Sequence, residues 1–150
     1  MGKSLFDRLA GREAIAAAAS DLCARSVTDE RIKAKYLRTD PVRLEEMLVD
    51  LVCQATGGPC TYSGRTMREA HAGMGVTAAE FDAQVELVVA ALDNFNVPKA
   101  EQDELLALLA PMRADIVEVE SAETGTPLPD TYQNAPGLES VTAARGFASR

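Results

Sequence analysis

Residues 40–55 carry the pattern that most restricts the folds open to this chain. Asp40 can cap a helix with its side chain, and Pro41 suits the first helical turn because the amide hydrogen that proline lacks would have no partner there. Apolar or small side chains then recur at the spacing of one helical face, namely Leu44, Met47, Leu48, Leu51, Val52 and Ala55. Gly57 and Gly58 follow, as is common after a helix. The pattern predicts an amphipathic helix packed against a core.

The same helical spacing recurs along most of the chain. Residues 12–27 place small and apolar side chains on one face. Two pairs have the spacing of a capping box, in which each partner bonds the backbone of the other: Thr66 with Glu69, and Thr77 with Glu80. Pro98 suits the first position of a last helix. No segment has the pattern of a strand, so the sequence predicts an all-α fold of five or six helices.

Length and composition predict one acidic domain. A chain of 150 residues matches the usual size of a single domain. We expect the domain to span residues 1–120. Residues 121–150, rich in small and polar residues, are expected to form a flexible tail, with a helix near 138–148 as the alternative. The net charge of −8 argues against a nucleic-acid partner, and no apolar run is long enough for a membrane span.

The three cysteines, Cys23, Cys53 and Cys60, show no zinc or Cys-x-x-Cys spacing. Three thiols cannot all pair within one chain. We therefore expect reduced thiols and a cytoplasmic location, because disulfides are rare in a reducing cytosol.

Common sequence signs of catalysis are missing, and the lone histidine becomes the main candidate for chemistry. There is no phosphate-binding loop, no dinucleotide fingerprint and no serine-nucleophile motif. His71 lies in a short predicted helix, four residues after Met67 and therefore on the same face. Gly73 and Gly75 limit that helix to about two turns.

The segment around His71 closely resembles the proximal region of group I truncated haemoglobins. The family pattern is a double glycine and proline, then Tyr, a small residue, Gly, Met, and finally His-x-Gly-x-Gly before a threonine. This sequence matches it with Gly57-Gly58-Pro59, Tyr62-Ser63-Gly64, Met67, His71-Ala72-Gly73-Met74-Gly75 and Thr77. Residues 4–15 also resemble the opening of the family, and residues 97–111 resemble its last helix, so the likeness covers about residues 4 to 118.

The resemblance implies a two-over-two helical sandwich around one haem b. His71 would be the proximal ligand to iron, and a backbone carbonyl or side chain near the preceding turn would accept its other ring N–H. Core residues would also line the pocket, namely Met67, Leu48, Phe81 and Val85. Donors to the haem propionates would be Arg68, Tyr62 and Thr39. The implied partner is a diatomic gas (O2, CO or NO), and the protein is expected to be a monomer or weak dimer.

The sequence departs from the family on the distal side of the pocket. Cys23 stands where most members have a tyrosine that donates to O2, Leu48 stands where many have glutamine, and Leu44 occupies the gate position. Bound O2 carries negative charge, which a positioned donor favours by about 1.5–3 kcal/mol. Losing these donors predicts weak retention of O2 compared with CO. Tyr36 replaces a phenylalanine that packs on haem. Either its ring has the same packing role and the hydroxyl has none, or the hydroxyl is a replacement donor.

Met47 motivates a second hypothesis. Some family members present a histidine at this position to the sixth iron site, and a methionine thioether is also a known haem ligand. A haem protein coordinated by His71 and Met47 would transfer electrons or sense redox state or gas, with a reductase or other redox partner. A haem-free globin-like binding module is a third reading. Nitric-oxide dioxygenase or peroxidase activity is a fourth, although no acid or base pair can be named for it.

Overall fold

The computed structural model describes residues 2–132, which form seven α-helices. These are α1 (Leu5–Arg8), α2 (Gly11–Ser26), α3 (Pro41–Ala55), α4 (Met67–His71), α5 (Ala78–Asn94), α6 (Lys99–Leu109) and α7 (Arg113–Ile116). Two short 3-10 turns cover Lys33–Tyr36 and Ala110–Met112. Over residues 2–132 the only β feature is an isolated parallel bridge between Thr77 and Val119. The all-α prediction is confirmed.

The predicted capping residues begin three of these helices. The Asp40 carboxylate accepts from the Val42 backbone N–H at 3.0 Å, directly ahead of Pro41. Both capping boxes form, at Thr66 with Glu69 and at Thr77 with Glu80. Local hydrogen bonds therefore decide where α3, α4 and α5 begin, independently of what the helices pack against.

Helix α2 is the centre of the packing, because it contacts both α3 and α5. Ile15 and Ala19 of α2 are buried against Val49 of α3. A second buried cluster joins Leu5 of α1 to the later helices through Leu92 and Leu105. Helix α4, which carries the histidine, contacts α7.

The packed chain continues past residue 120, where we expected the domain to end. Leu128 and Tyr132 are buried together with Met74 and Val76. The Thr126 backbone N–H donates to the Glu80 carboxylate at 2.7 Å. Residues 121–132 thus pack with the rest of the domain. The composition of this segment did not predict it, because only two of its apolar side chains, Leu128 and Tyr132, make the buried contacts. The rest of the expected tail, including the alternative helix at 138–148, lies outside the described residues.

The expectation of three reduced thiols is wrong, because Cys53 and Cys60 form a disulfide. Gly57 adopts a φ of +93°, a left-handed conformation that glycine tolerates, and this turns the chain back after α3. The Gly58 N–H then donates to the Cys53 carbonyl at 2.8 Å. The two cysteines, seven residues apart, come to lie with their Cα atoms 5.7 Å apart. Cys23 is a free, buried thiol.

Residues 2–132 contain no helix with the length and apolar character that a bilayer span requires.

Candidate functional site

A cavity of about 540 Å³ lies between α2, α3, α4 and α5. Its volume falls in the range of pockets that enclose small organic ligands and cofactors. The apolar stripe predicted for α3 faces this cavity, whereas α3 packs on the core through Val49 and Cys53. Helix α5 divides in the same way: Phe81, Val85 and Val88 line the cavity while its other side is buried. The two amphipathic faces therefore enclose a space.

The structure brings ten of the eleven predicted cofactor-binding residues to this cavity. They are Cys23, Tyr36, Leu44, Met47, Leu48, Tyr62, Met67, His71, Phe81 and Val85. Thr39 also lines it. Arg68 does not line it, because its side chain is 74% exposed and pairs with Asp115 at 2.8 Å.

The imidazole of His71 is fixed by the helix that carries it. Its Nδ1 lies 2.8 Å from the Met67 carbonyl oxygen, one helical turn earlier. A carbonyl only accepts, so Nδ1 carries the proton of the neutral ring and Nε2 keeps a free lone pair. Burial lowers the pKa of His71 below its usual value of 6.5, which favours the neutral form. A neutral imidazole with an open Nε2 is the form that binds a metal ion.

A local capping box holds the start of α4, and contacts from distant parts of the chain hold its C-terminal end. The Thr66–Glu69 capping box defines its start. Just after its end, the backbone N–H groups of Gly73 and Gly75 donate to the Glu118 carboxylate at 2.9 and 2.7 Å. The Tyr132 hydroxyl donates to the Ala70 carbonyl, next to His71. The position of the imidazole thus depends on residues 117–132.

Most side chains that α2 and α3 contribute to the cavity wall are apolar, and Cys23, Leu44 and Leu48 are among them. Burial raises the pKa of Cys23 to about 11, with a smaller contribution from the Glu45 carboxylate, so its thiol stays protonated near neutral pH. A thiol is a weak hydrogen-bond donor.

Met47 lies where α3 approaches the loop before α4. A Cβ built on Gly64 would collide with the Met47 methyl group and with the Tyr62 hydroxyl, so glycine is needed for this close approach. The Tyr62 hydroxyl in turn donates to the Arg65 carbonyl at 2.6 Å. The thioether of Met47 is therefore packed at the edge of the cavity, against this loop.

The polar residues of the cavity wall that were missed from the sequence include Ser26, Gln84 and Arg65. Arg65, in the loop before α4, reaches the cavity, whereas Arg68, in α4, does not. The Tyr36 hydroxyl donates to Gln84 Oε1 at 2.8 Å, and Gln84 Nε2 donates to Ser26 Oγ at 3.0 Å. The available signal was a polar residue within an apolar helix face, since Gln84 lies three residues after Phe81 and four residues before Val88.

These residues fit a haem. The site offers one imidazole with an open nitrogen, apolar side chains along its walls and the guanidinium of Arg65, which match an iron ligand, a flat apolar macrocycle and its carboxylates. Over residues 2–132 there is no competing cluster of His, Cys, Asp and Glu that would hold a metal ion directly.

Known proteins were compared with this chain and its fold. The family model described as Bacterial-like globin matches residues 4–118. Group 1 truncated hemoglobin GlbN of Mycolicibacterium paratuberculosis is 29% identical over 120 residues, which are 80% of this chain and 88% of that protein. The Group 1 truncated hemoglobin of Tetrahymena pyriformis is 30% identical over 115 residues, which are 77% of this chain and 95% of that protein.

Solved structures show the same fold. The truncated hemoglobin of Tetrahymena pyriformis in its Fe(III) form superposes with a TM-score of 0.74 at 30% identity, covering 77% of this chain and 98% of that one. The 2/2 hemoglobin of Synechococcus sp. PCC 7002, in the cyanomet state with covalently attached heme, gives a TM-score of 0.73 at 29% identity with the same coverage. The chain therefore belongs to the bacterial-like globins as a group 1 truncated haemoglobin with the two-over-two helical fold, and is, with its family, a haem-binding globin.

Proposed function

We propose that the cavity holds haem b with His71 Nε2 as its proximal ligand, and that the protein takes up small diatomic ligands on the opposite, distal side. The observation that carries the proposal is the 2.8 Å contact between His71 Nδ1 and the Met67 carbonyl, which leaves Nε2 as the free nitrogen of a half-buried neutral ring that lines the cavity. The haem would supply an iron that binds O2, CO or NO. The side chains of the chain orient it and exclude water from it.

The loop before α4 supplies the polar end of the proposed site. The guanidinium of Arg65 replaces that of Arg68 as the proposed partner of a haem propionate, because Arg65 lines the cavity and Arg68 is paired outside it. Thr39 lines the same cavity and carries a hydroxyl group for the second propionate, whereas the hydroxyl hydrogen of Tyr62 is used by the Arg65 carbonyl. Paired charges of this kind orient a cofactor that apolar walls alone would let rotate.

Replacement of His71 tests the proposal directly. Titration of the purified protein with haemin is expected to give a Soret band and to raise the melting temperature, because a ligand that binds only the folded state stabilises it. His71→Gly is expected to lose the spectrum of an imidazole-ligated haem, and added free imidazole is expected to restore it. Rescue separates ligation from folding. A wild-type spectrum in His71→Gly would contradict the proposal, and wild-type protein without a Soret band would favour the haem-free module.

A second candidate function is electron transfer or redox sensing through His71 and Met47 coordination. It is favoured by one observation, that Met47 lines the same cavity as His71. Its packing against Gly64 and Tyr62 means that the thioether must leave this contact to ligate iron. A low-spin spectrum that becomes high-spin in Met47→Ala but not in Leu51→Ala, a matched change in the same stripe, would support it. A high-spin, five-coordinate ferrous spectrum of the wild type would exclude it.

A further inference from the structure

A series of three hydrogen bonds lies in the cavity wall. The Tyr36 hydroxyl lies 2.8 Å from Gln84 Oε1, Gln84 Nε2 lies 3.0 Å from Ser26 Oγ, and Ser26 Oγ lies 2.8 Å from the Leu22 carbonyl oxygen. Tyr36, Gln84 and Ser26 all line the cavity, together with Cys23. These hydrogen bonds join α2, α5 and the 3-10 turn before α3.

The direction of every proton in this series follows from its last member. The Leu22 carbonyl can only accept, so the Ser26 hydroxyl donates to it. Ser26 Oγ must then accept from Gln84, so the amide atom of Gln84 that lies nearer to Ser26 is Nε2, and the atom that faces Tyr36 is Oε1. Gln84 Oε1 can only accept, so the hydroxyl hydrogen of Tyr36 points to it. Burial raises the pKa of Tyr36, which keeps that hydrogen in place.

One consequence concerns Tyr36, the residue considered above as a replacement donor. Its only hydroxyl hydrogen is committed to Gln84. The Gln84 amide, in contrast, carries two hydrogens on Nε2 and uses one of them for Ser26. Cys23, Leu44 and Leu48 offer at most a weak thiol donor. Gln84 therefore holds the strongest hydrogen that remains available on this wall.

We propose that Gln84 is the residue that selects the distal ligand: its second Nε2 hydrogen donates to a diatomic ligand that carries negative charge, and Tyr36 and Ser26 are positioning residues that hold the amide plane. This inference rests on the proposed function, because it needs a haem in the cavity. It adds one polar donor to the unusually apolar distal pocket that the sequence predicts. It also names a ligand class, since a donor favours O2 over the nearly neutral CO.

The first test replaces the amide by a side chain of similar length without a donor, Gln84→Met. In the haem-loaded protein, O2 dissociation is expected to be about 10- to 100-fold faster, the scale of a hydrogen bond to a charged group, and CO dissociation to change much less. The infrared C–O stretch of the ferrous CO form is expected to move to higher wavenumber. Gln102→Met is the matched control, because Gln102 is buried, bonds to Asp93 and the Val97 carbonyl, and does not line the cavity.

The second test separates Gln84 from Tyr36 by a double-mutant cycle. Tyr36→Phe removes one of the two bonds that hold the amide, so a smaller change in the C–O stretch and in O2 dissociation is expected than for Gln84→Met. In the Gln84→Met background, Tyr36→Phe is expected to add nothing, because Tyr36 acts only through the amide. An equal or larger effect of Tyr36→Phe in both backgrounds would make Tyr36 the donor and overturn the proposal.

Outcomes for the two proposals remain distinct. Wild-type protein that takes up no haem overturns the proposed function, and the present inference with it. Haem-loaded Gln84→Met with an unchanged C–O stretch and unchanged O2 dissociation overturns only the role of Gln84. If Gln84→Met does not fold, Gln84→Leu and Ser26→Ala replace it, and faster O2 loss and a higher C–O stretch are expected for both. Unchanged values in both variants would also overturn the role of Gln84.

Discussion

At the scale of single residues, two neighbours in the sequence have opposite environments. Arg65 lines the cavity, whereas Arg68, only three positions later, is exposed and paired with Asp115. Position in the sequence predicted Arg68, which lies in α4, as a propionate donor, but the direction of the Arg65 side chain depends on the path of the backbone after Gly64. Sequence alone could not choose between the two arginines.

The proposed propionate contact predicts different effects for the two arginines. Arg65→Ala is expected to speed haem loss by about fivefold, consistent with an ion pair worth about 1 kcal/mol, and the effect should shrink at high salt. Arg68→Ala, the matched control, is expected to leave the rate unchanged. Transfer of haem to an excess of an apoglobin acceptor measures both rates. Equal rates in the two variants would remove Arg65 from the site.

At the scale of elements, the caps were predictable and the disulfide was not. Thr66 with Glu69 and Thr77 with Glu80 act over three residues, so the sequence contains all the information that they need. Pairing of Cys53 with Cys60 depends instead on the left-handed turn at Gly57, which reverses the chain over seven residues. That reversal belongs to the loop carrying Tyr62 and Arg65.

Loss of the disulfide is expected to destabilise the protein. Cys60→Ser should lower the free energy of unfolding by about 2–3 kcal/mol, the loop entropy of a short closed ring, as measured by urea denaturation. A thiol reductant should lower the stability of the wild type by a similar amount and leave Cys60→Ser unchanged. Denatured, unreduced wild type should contain one reactive thiol, from Cys23. Three reactive thiols would contradict the bond.

The disulfide also bears on the expected location of the protein. Such bonds persist in oxidising compartments and are rare in a reducing cytosol. The cytoplasmic location was inferred from reduced thiols, so the Cys53–Cys60 bond removes that support. The location stays a prediction. Counting the free thiols of protein extracted under acid quench would test it.

At the scale of the whole molecule, the apolar stripe of α3 was predicted but the surface that it faces was not. All of that stripe except Ala55 lines the cavity, whereas Val49 and Cys53 supply the buried contacts of the helix. Helical periodicity identifies an apolar face and cannot tell whether the face meets another side chain or a cofactor. The family motif at His71 resolved that choice. Bonds between distant elements, such as Tyr36 with Gln84, required the fold itself.

The packing of residues 121–132 predicts a stability effect far from the cavity's polar groups. Leu128→Ala is expected to cost about 2–4 kcal/mol, because Leu128 is 9% exposed within a buried cluster. Leu37→Ala, the same change at a side chain that is 71% exposed, should cost less than about 0.5 kcal/mol. Urea or thermal denaturation compares the pair. Equal effects would mean that residues 121–132 form no part of the cooperative unit.

Helix α4 has five residues, and a helix of that length does not persist alone in water. Two residues that are distant in the sequence stabilise it: Tyr132 bonds the Ala70 carbonyl in its last turn, and Glu118 bonds the backbone of Gly73 and Gly75 just after its end. The orientation of the His71 ring thus depends on residues near the C-terminal end of the domain. A graft of α4 and its flanking loops into another scaffold would carry the motif without the geometry, and should fail to ligate iron in a defined orientation.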